Sequence, residues 1–211
     1  MSCIRLGTMI TKVAGVLLAA GAGSRLGRPK ALVSLDGQTL SERGTGLLRA
    51  GGADPVLLVA GAVPVELDNV RTVFNPDWRT GMGSSLRAAL RALAGTAAGA
   101  VVIALADQPL VGPEAVARLI AAYRAGATVA VAAYEGKPRN PVLLAREHWP
   151  EVIETATGDQ GARAFLRAHQ DLVTLVECGD TGRPDDIDTQ ADLDRISRHD
   201  DVRRPGSPRS E

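Results

Sequence analysis

Short apolar runs at residues 13–19, 55–60, 100–106 and 128–133, with segments of helical spacing between them, constrain this fold more than any other feature of the chain. Each is rich in Val, Leu and Ala and too short for a stable helix. An unbroken apolar run of that length predicts a strand covered on both faces. Helices are predicted at 40–50, which stops at Gly51-Gly52, at 84–93, with Leu86, Leu90 and Leu93 on one face, and at 113–123, with Pro113 in the first turn. Further strands are expected at 70–74, 142–144 and 172–176, and further helices at 147–153, at 160–169 and from Gln190. Strands alternating with helices make β-α-β units, so the class is α/β with a mainly parallel sheet. At 211 residues the chain is expected to form one domain over 13–196. Residues 1–12 read as an extension, and 197–211, with Arg203-Arg204-Pro205-Gly206-Ser207-Pro208, as a disordered tail.

Composition narrows the partners. Aromatic residues are 3% of the chain, too few for the stacking platforms that hold single-stranded nucleic acid. A formal net charge of zero gives no bulk attraction to nucleic acid or to a membrane surface. Cys3 and Cys178 lie at opposite ends without metal-like spacing and read as free thiols of a reducing compartment. The basic start and apolar run before residue 22 imitate a secretion signal, but the run leads straight into the chemical motif below and is read as the first strand. No apolar stretch approaches the roughly 20 residues of a membrane span. The expected location is the cytoplasm.

In a doubly wound sheet, ligands bind beyond the carboxyl ends of the strands. The first strand ends in Leu18-Ala19-Ala20-Gly21-Ala22-Gly23-Ser24-Arg25-Leu26-Gly27-Arg28-Pro29-Lys30. Glycines let backbone N–H groups approach an anion, Arg25 offers a planar fork for phosphate oxygens, and Lys30 offers a mobile charge. The segment is not a P-loop, since no Gly-Lys pair is followed by Ser or Thr. Nor is it the Rossmann fingerprint, since Leu26 stands where the third glycine belongs. The full string L-A-A-G-x-G-x-R-x-G-x-P-K resembles the signature of nucleotidyltransferases that move a nucleoside monophosphate from a triphosphate onto a phosphorylated acceptor.

Asp107, in Ala106-Asp107-Gln108-Pro109, falls at a strand end on the same edge as this loop. It reads either as a turn former or cap before Pro109 or as a metal ligand, and Mg2+ held by one or two carboxylates plus substrate phosphates suits the loop. Asp185-Asp186-Ile187-Asp188-Thr189 reads by default as a solvated turn capping the helix from Gln190. Residues 75–86, Asn-Pro-Asp-Trp-Arg-Thr-Gly-Met-Gly-Ser-Ser-Leu, bring glycines and hydroxyls into a helix start. They can present N–H groups to an anion, or Ser84 or Ser85 can simply cap the helix. Pro138-Arg139-Asn140-Pro141 and Thr157-Gly158-Asp159-Gln160-Gly161-Ala162-Arg163 are ordinary turn and helix-start chemistry when taken singly.

Taken in order, these motifs resemble the molybdenum cofactor cytidylyltransferase family over roughly residues 13–196, including members that serve xanthine dehydrogenase-type enzymes. One departure is Ala106, where the family usually has glycine. The resemblance implies a single-domain, Rossmann-like three-layer α/β/α nucleotidyltransferase with a mainly parallel mixed sheet. It implies transfer of CMP from CTP to the phosphate of molybdopterin, with pyrophosphate released. It further implies catalytic roles for Lys30, Arg25 and Asp107, and Mg2+ on Asp107 and Asp188, with Asp186 in reserve. Leu18, Ala19, Ala20, Gly21, Gly23, Ser24, Arg25, Lys30, Asn75, Ser84 and Asp107 would contact the nucleotide. Gln108, Asn140, Asp159 and Arg163 would contact the acceptor, and a molybdenum hydroxylase apoenzyme would be a partner. Guanylyltransferases of the resembling families carry L-A-G-G at residues 18–21, so the methyl group of Ala20 implies CTP rather than GTP. Same-chemistry alternatives are GTP as donor or a sugar or isoprenoid-precursor phosphate as acceptor. A catalytically inactive insertion chaperone is an alternative of another kind.

Overall fold

The computed structural model describes residues 12–201, so Cys3, the expected extension up to residue 11 and residues 202–211 of the expected tail lie outside it. Seven strands form one sheet: β1 (Val13–Leu18), β4 (Val56–Ala60), β5 (Arg71–Phe74), β6 (Ala100–Leu105), β7 (Val129–Tyr134), β8 (Lys137–Ala145) and β9 (Val173–Glu177). Their order is β5-β4-β1-β6-β8-β7-β9. Only β8 runs antiparallel to its neighbours. A two-stranded hairpin, β2 (Ser34–Leu35) and β3 (Gln38–Thr39), stands apart.

The apolar runs become strands because each supplies both faces of the sheet in alternation. On one face, Ala14, Val16 and Leu18 of β1 join Leu57, Val59, Val101 and Ile103 under α2 (Met82–Leu93), α4 (Trp149–Thr155) and α5 (Arg163–Ala168). On the other, Val13 and Leu17 join Leu58 and Val102 under α1 (Leu40–Ala50) and α3 (Pro113–Arg124). Thr39 caps α1: its hydroxyl accepts the Glu42 amide while the Glu42 carboxylate accepts the Thr39 amide. A third cluster joins Leu26, Val33, Leu35 and Leu40 to Ile187, Leu193 and Ile196, and so fastens the hairpin and α6 (Gln190–Asp201) beside the carboxyl edge. α6 takes residues 197–201, which were expected to begin the tail. Among the described residues no helix is long and apolar enough to cross a membrane.

Three local expectations are corrected. The hairpin β2–β3 lies outside the expected strands, because its strands are two residues each and carry no apolar run. The strand expected at 142–144 is the nine-residue β8, which includes Pro138 and Pro141. The prolines are tolerated because only residues 142–145 of β8 pair with β6; the amino-terminal half pairs with β7 alone and behaves as an edge. That half therefore projects past β6 and carries Arg139 and Asn140 over the carboxyl edge of the sheet. The helix expected at 160–169 begins only at Arg163, after a 3-10 turn at Gly158–Gln160, because Gly161 adopts φ +54 and breaks the run.

Candidate active site

The glycine loop turns tightly out of β1. Gly23 sits at φ +62, its carbonyl accepts the amides of Leu26 and Gly27 at 2.9 Å each, and a Cβ there would meet the Arg28 carbonyl oxygen at 2.1 Å. Leu18, Ala19 and Ala20 are buried, whereas Gly21, Ser24 and Arg25 are exposed. A Cβ placed on Gly61 would come within 2.8 Å of the Ala20 methyl and 2.6 Å of Trp78 Cβ, so Ala20 and Trp78 both close on Gly61. The loop ends at Lys30, the first residue of a 3-10 turn.

β6 delivers Asp107 next to this loop, since Leu105 of β6 pairs with Leu18 and the Ala106 amide donates to the Leu18 carbonyl at 3.1 Å. The Ile187 amide donates to the Asp107 carbonyl at 2.8 Å, which draws residues 186–188 alongside. In this extended segment Ile187 enters the third apolar cluster, while Asp186 and Asp188 turn to the cleft. Lys30 Nζ donates to Asp107 Oδ2 at 2.8 Å and to Asp188 Oδ1 at 2.6 Å, and Arg25 Nη1 lies 3.4 Å from Asp188 Oδ2. Gln108 Nε2 donates to Asp186 Oδ1 at 2.9 Å, while Gln108 Oε1 is buried without a partner.

The electrostatics follow from this crowding. Burial alone would lower the Lys30 ammonium, but Asp107 and Asp188 together outweigh it and hold its pKa above the ordinary lysine value. The hydrogen bond from Lys30 holds Asp188 below the usual carboxylate range. Burial pushes Asp186 up, and the charges of Asp107 and Asp188 add to that against the hydrogen bond from Gln108. The site is short of positive charge. Two hard carboxylates that already share one cation, with a third beside them, fit Mg2+ or Mn2+. Among the described residues no group of three or more His, Cys, Asp or Glu side chains is placed to hold a metal ion by itself.

A cleft of about 1080 Å³ extends from these carboxylates over β8, β7 and β9. Its near half holds Arg25, Asp107, Gln108, Asp186 and Asp188; its far half has Val131, Val142, Val173 and Leu175 as floor, with Arg139, Asn140, Arg163 and Arg167 around it. The structure thus brings Arg25, Lys30, Asp107 and Asp188 together, and it puts Gln108, Asn140 and Arg163 on the same cleft. Three expected contacts are turned elsewhere. Asn75 Nδ2 donates to Ser84 Oγ at 2.8 Å and to Ser85 Oγ at 3.0 Å, so Asn75 and Ser84 are buried on each other at the start of α2. Asp159 Oδ1 accepts the Met82 amide at 3.3 Å and tethers its loop to the amino terminus of α2. Sequence reasoning missed Arg139, Arg167 and the structural part of Ile187. Arg167 was findable, because it stands four residues from Arg163 and shares its helix face.

A family model for the MobA-like NTP transferase domain matches residues 15–173. The chain belongs to that family. This protein is therefore a nucleotidyltransferase of the MobA-like kind. It is 40% identical over 202 residues to nicotine blue oxidoreductase of Paenarthrobacter nicotinovorans, covering 87% of this chain and 96% of that one. It is 34% identical over 100 residues to a probable molybdenum cofactor guanylyltransferase of Opitutus terrae, covering 47% and 50% of the two chains. Among solved structures, Rv0371c of Mycobacterium tuberculosis H37Rv superposes with a TM-score of 0.77 at 29% identity, over 89% of this chain and 98% of that one. A manganese complex of Rv0371c superposes at 0.73, with 28% identity over 89% and 98% of the two chains. The fold expectation and the family resemblance are both borne out.

Proposed function

We propose that this nucleotidyltransferase moves CMP from CTP onto the terminal phosphate of molybdopterin and releases pyrophosphate. The observation that carries this reading is the position of Lys30, Asp107 and Asp188 where the glycine loop meets a cleft with an apolar floor and an arginine rim. The loop amides, Arg25 and Lys30 bind the triphosphate and take up charge as it develops. An acceptor phosphate oxygen attacks the α-phosphorus; the new O–P bond forms as the bond to the β-phosphate oxygen breaks, and the electron pair leaves with pyrophosphate. Asp107 and Asp188 would hold Mg2+, which when bound neutralises charge on the phosphates. In the far half of the cleft, the Val and Leu floor suits a flat heterocycle, while Arg139, Arg163 and Arg167 suit its phosphate. Gln108 and Asn140 border that half. Asp159 acts one step back, by holding the start of α2. Ala20, close to Gly61 at the start of the loop, narrows the base site in favour of a pyrimidine.

A reductase reading rests on the name of nicotine blue oxidoreductase. Hydride transfer would leave the Asp107–Lys30–Asp188 cluster without a chemical task, which favours the transferase. Pyrophosphate release, measured with Mg2+, CTP and molybdopterin, tests the proposal in the wild type and in Asp107→Ala. The folded variant is expected to be inactive, because Asp107 lies at a strand end and its side chain supports no core. Wild-type pyrophosphate release from folded Asp107→Ala would overturn the assignment.

A further inference from the structure

Lys30 holds its ammonium where Asp107 and Asp188 would have to share a divalent cation. Its side chain is 17% exposed, against 24% for Asp107 and 37% for Asp188, and its two contacts are among the shortest ion pairs of the described residues. Both carboxylates turn an oxygen toward Nζ. Each therefore directs one of its oxygens to the lysine in place of a metal. A lysine ammonium on a flexible four-carbon stem is suited to leaving such a position, as a rigid guanidinium is not.

Resting on the reading that Asp107 and Asp188 hold the metal, we infer that Lys30 is an exchangeable internal cation that yields these carboxylates only when a metal arrives together with a triphosphate. Metal alone leaves the displaced ammonium poorly partnered: Asp186 already accepts the Gln108 amide, Arg25 stands beside Asp188, and Arg139, Arg163 and Arg167 line the rest of the cleft. A triphosphate supplies the missing anion. Lys30 then exchanges two carboxylate contacts for phosphate contacts, and the carboxylates pass to the metal. Metal and nucleotide each strengthen the binding of the other, because each removes the cost the other would meet alone. The free enzyme therefore binds metal weakly in the absence of substrate.

The test measures Mn2+ affinity, by electron paramagnetic resonance of the free ion, in the wild type, Lys30→Met and Asp107→Asn. Each protein is titrated with and without a non-hydrolysable CTP analogue. Lys30→Met is expected to bind Mn2+ alone about 10–100-fold more tightly than the wild type, the worth of one charge-assisted hydrogen bond no longer displaced. The strengthening of Mn2+ binding by the analogue should shrink by a similar factor. Equal or weaker binding of Mn2+ by Lys30→Met, with binding abolished in Asp107→Asn, overturns the exchange and leaves the metal assignment standing. Unchanged binding in Asp107→Asn overturns the metal assignment itself. Where Lys30→Met does not fold, the 15N resonance of the Lys30 ammonium in the wild type decides. It is expected to stay protected from exchange when Mg2+ is added alone and to shift when Mg2+ and the analogue are added together. An ammonium signal that is unmoved by the pair overturns the inference.

Discussion

Replacing Ile187 with Ala should reduce stability and turnover together, although the side chain faces away from the cleft. Ile187 is fully buried, at 0% exposure, among Leu26, Val33, Leu35, Leu40, Leu193 and Ile196. Its amide holds the Asp107 carbonyl, and its neighbours on either side are Asp186 and Asp188. The substitution removes three carbons, each worth about 0.8 kcal/mol of burial, and leaves a cavity between the hairpin and α6. The expected loss is ~3 kcal/mol, within the ~2–5 kcal/mol found for such truncations. For a domain of this size, that lowers Tm by about 6–12 °C and moves the urea midpoint at unchanged slope. A ligand segment displaced by about 1 Å can cost roughly 10²-fold in rate, so kcat should fall about 10–100-fold. Leu193→Ala is the control, because Leu193 sits in the same cluster on α6 without a backbone bond to Asp107. Equal turnover by Ile187→Ala and Leu193→Ala, compared at matched fraction folded, would refute the claim that Ile187 positions the carboxylates.

Lys30→Ala should slow the chemical step by about 10²–10³-fold, the usual loss for one charge-stabilising donor, and a change confined to KM in steady-state kinetics would contradict this. Ala20→Gly removes the methyl group beside Gly61 and should narrow the preference for CTP over GTP by up to about 10-fold; an unchanged ratio in a competition assay would remove Ala20 from base selection. Glu177 accepts the amides of Gly136, Gly179 and Glu135, which hold its carboxylate below the ordinary value of 4.5. A depressed folded pKa adds stability that is complete above that ordinary value and is lost as the pH falls through the folded one. Glu177→Gln should therefore lower Tm at neutral pH and converge on the wild type in acid; parallel Tm curves across the acid range would count against the bond.

The strands at 13–18, 56–60 and 100–105 were legible because an unbroken apolar run has few other uses in a chain this size. Helix 40–50 was legible from the Gly51-Gly52 stop. The first half of β8 was not, because Pro138 and Pro141 argue against a strand until it is known that residues 137–141 extend beyond β6. The start of α5 was obscured by Gly161, whose φ no periodicity reveals. In the site, Lys30, Arg25, Asp107 and Asp188 could be named from motif order, and the structure brings them together. The carbonyl-to-amide bond between Asp107 and Ile187 could not, because it joins segments far apart in sequence through backbone atoms that every residue has. Asn75 and Ser84 are a different case. The family resemblance implies nucleotide contacts for them, and in the structure they hydrogen-bond to one another inside the protein.

The most direct test of the central claim is one reaction containing the wild-type protein, Mg2+, molybdopterin and equal CTP and GTP, analysed by mass spectrometry. The expected product is predominantly the CMP adduct of molybdopterin, formed one-for-one with pyrophosphate. A GMP adduct formed equally or in excess, or no nucleotide adduct at all, would contradict the account.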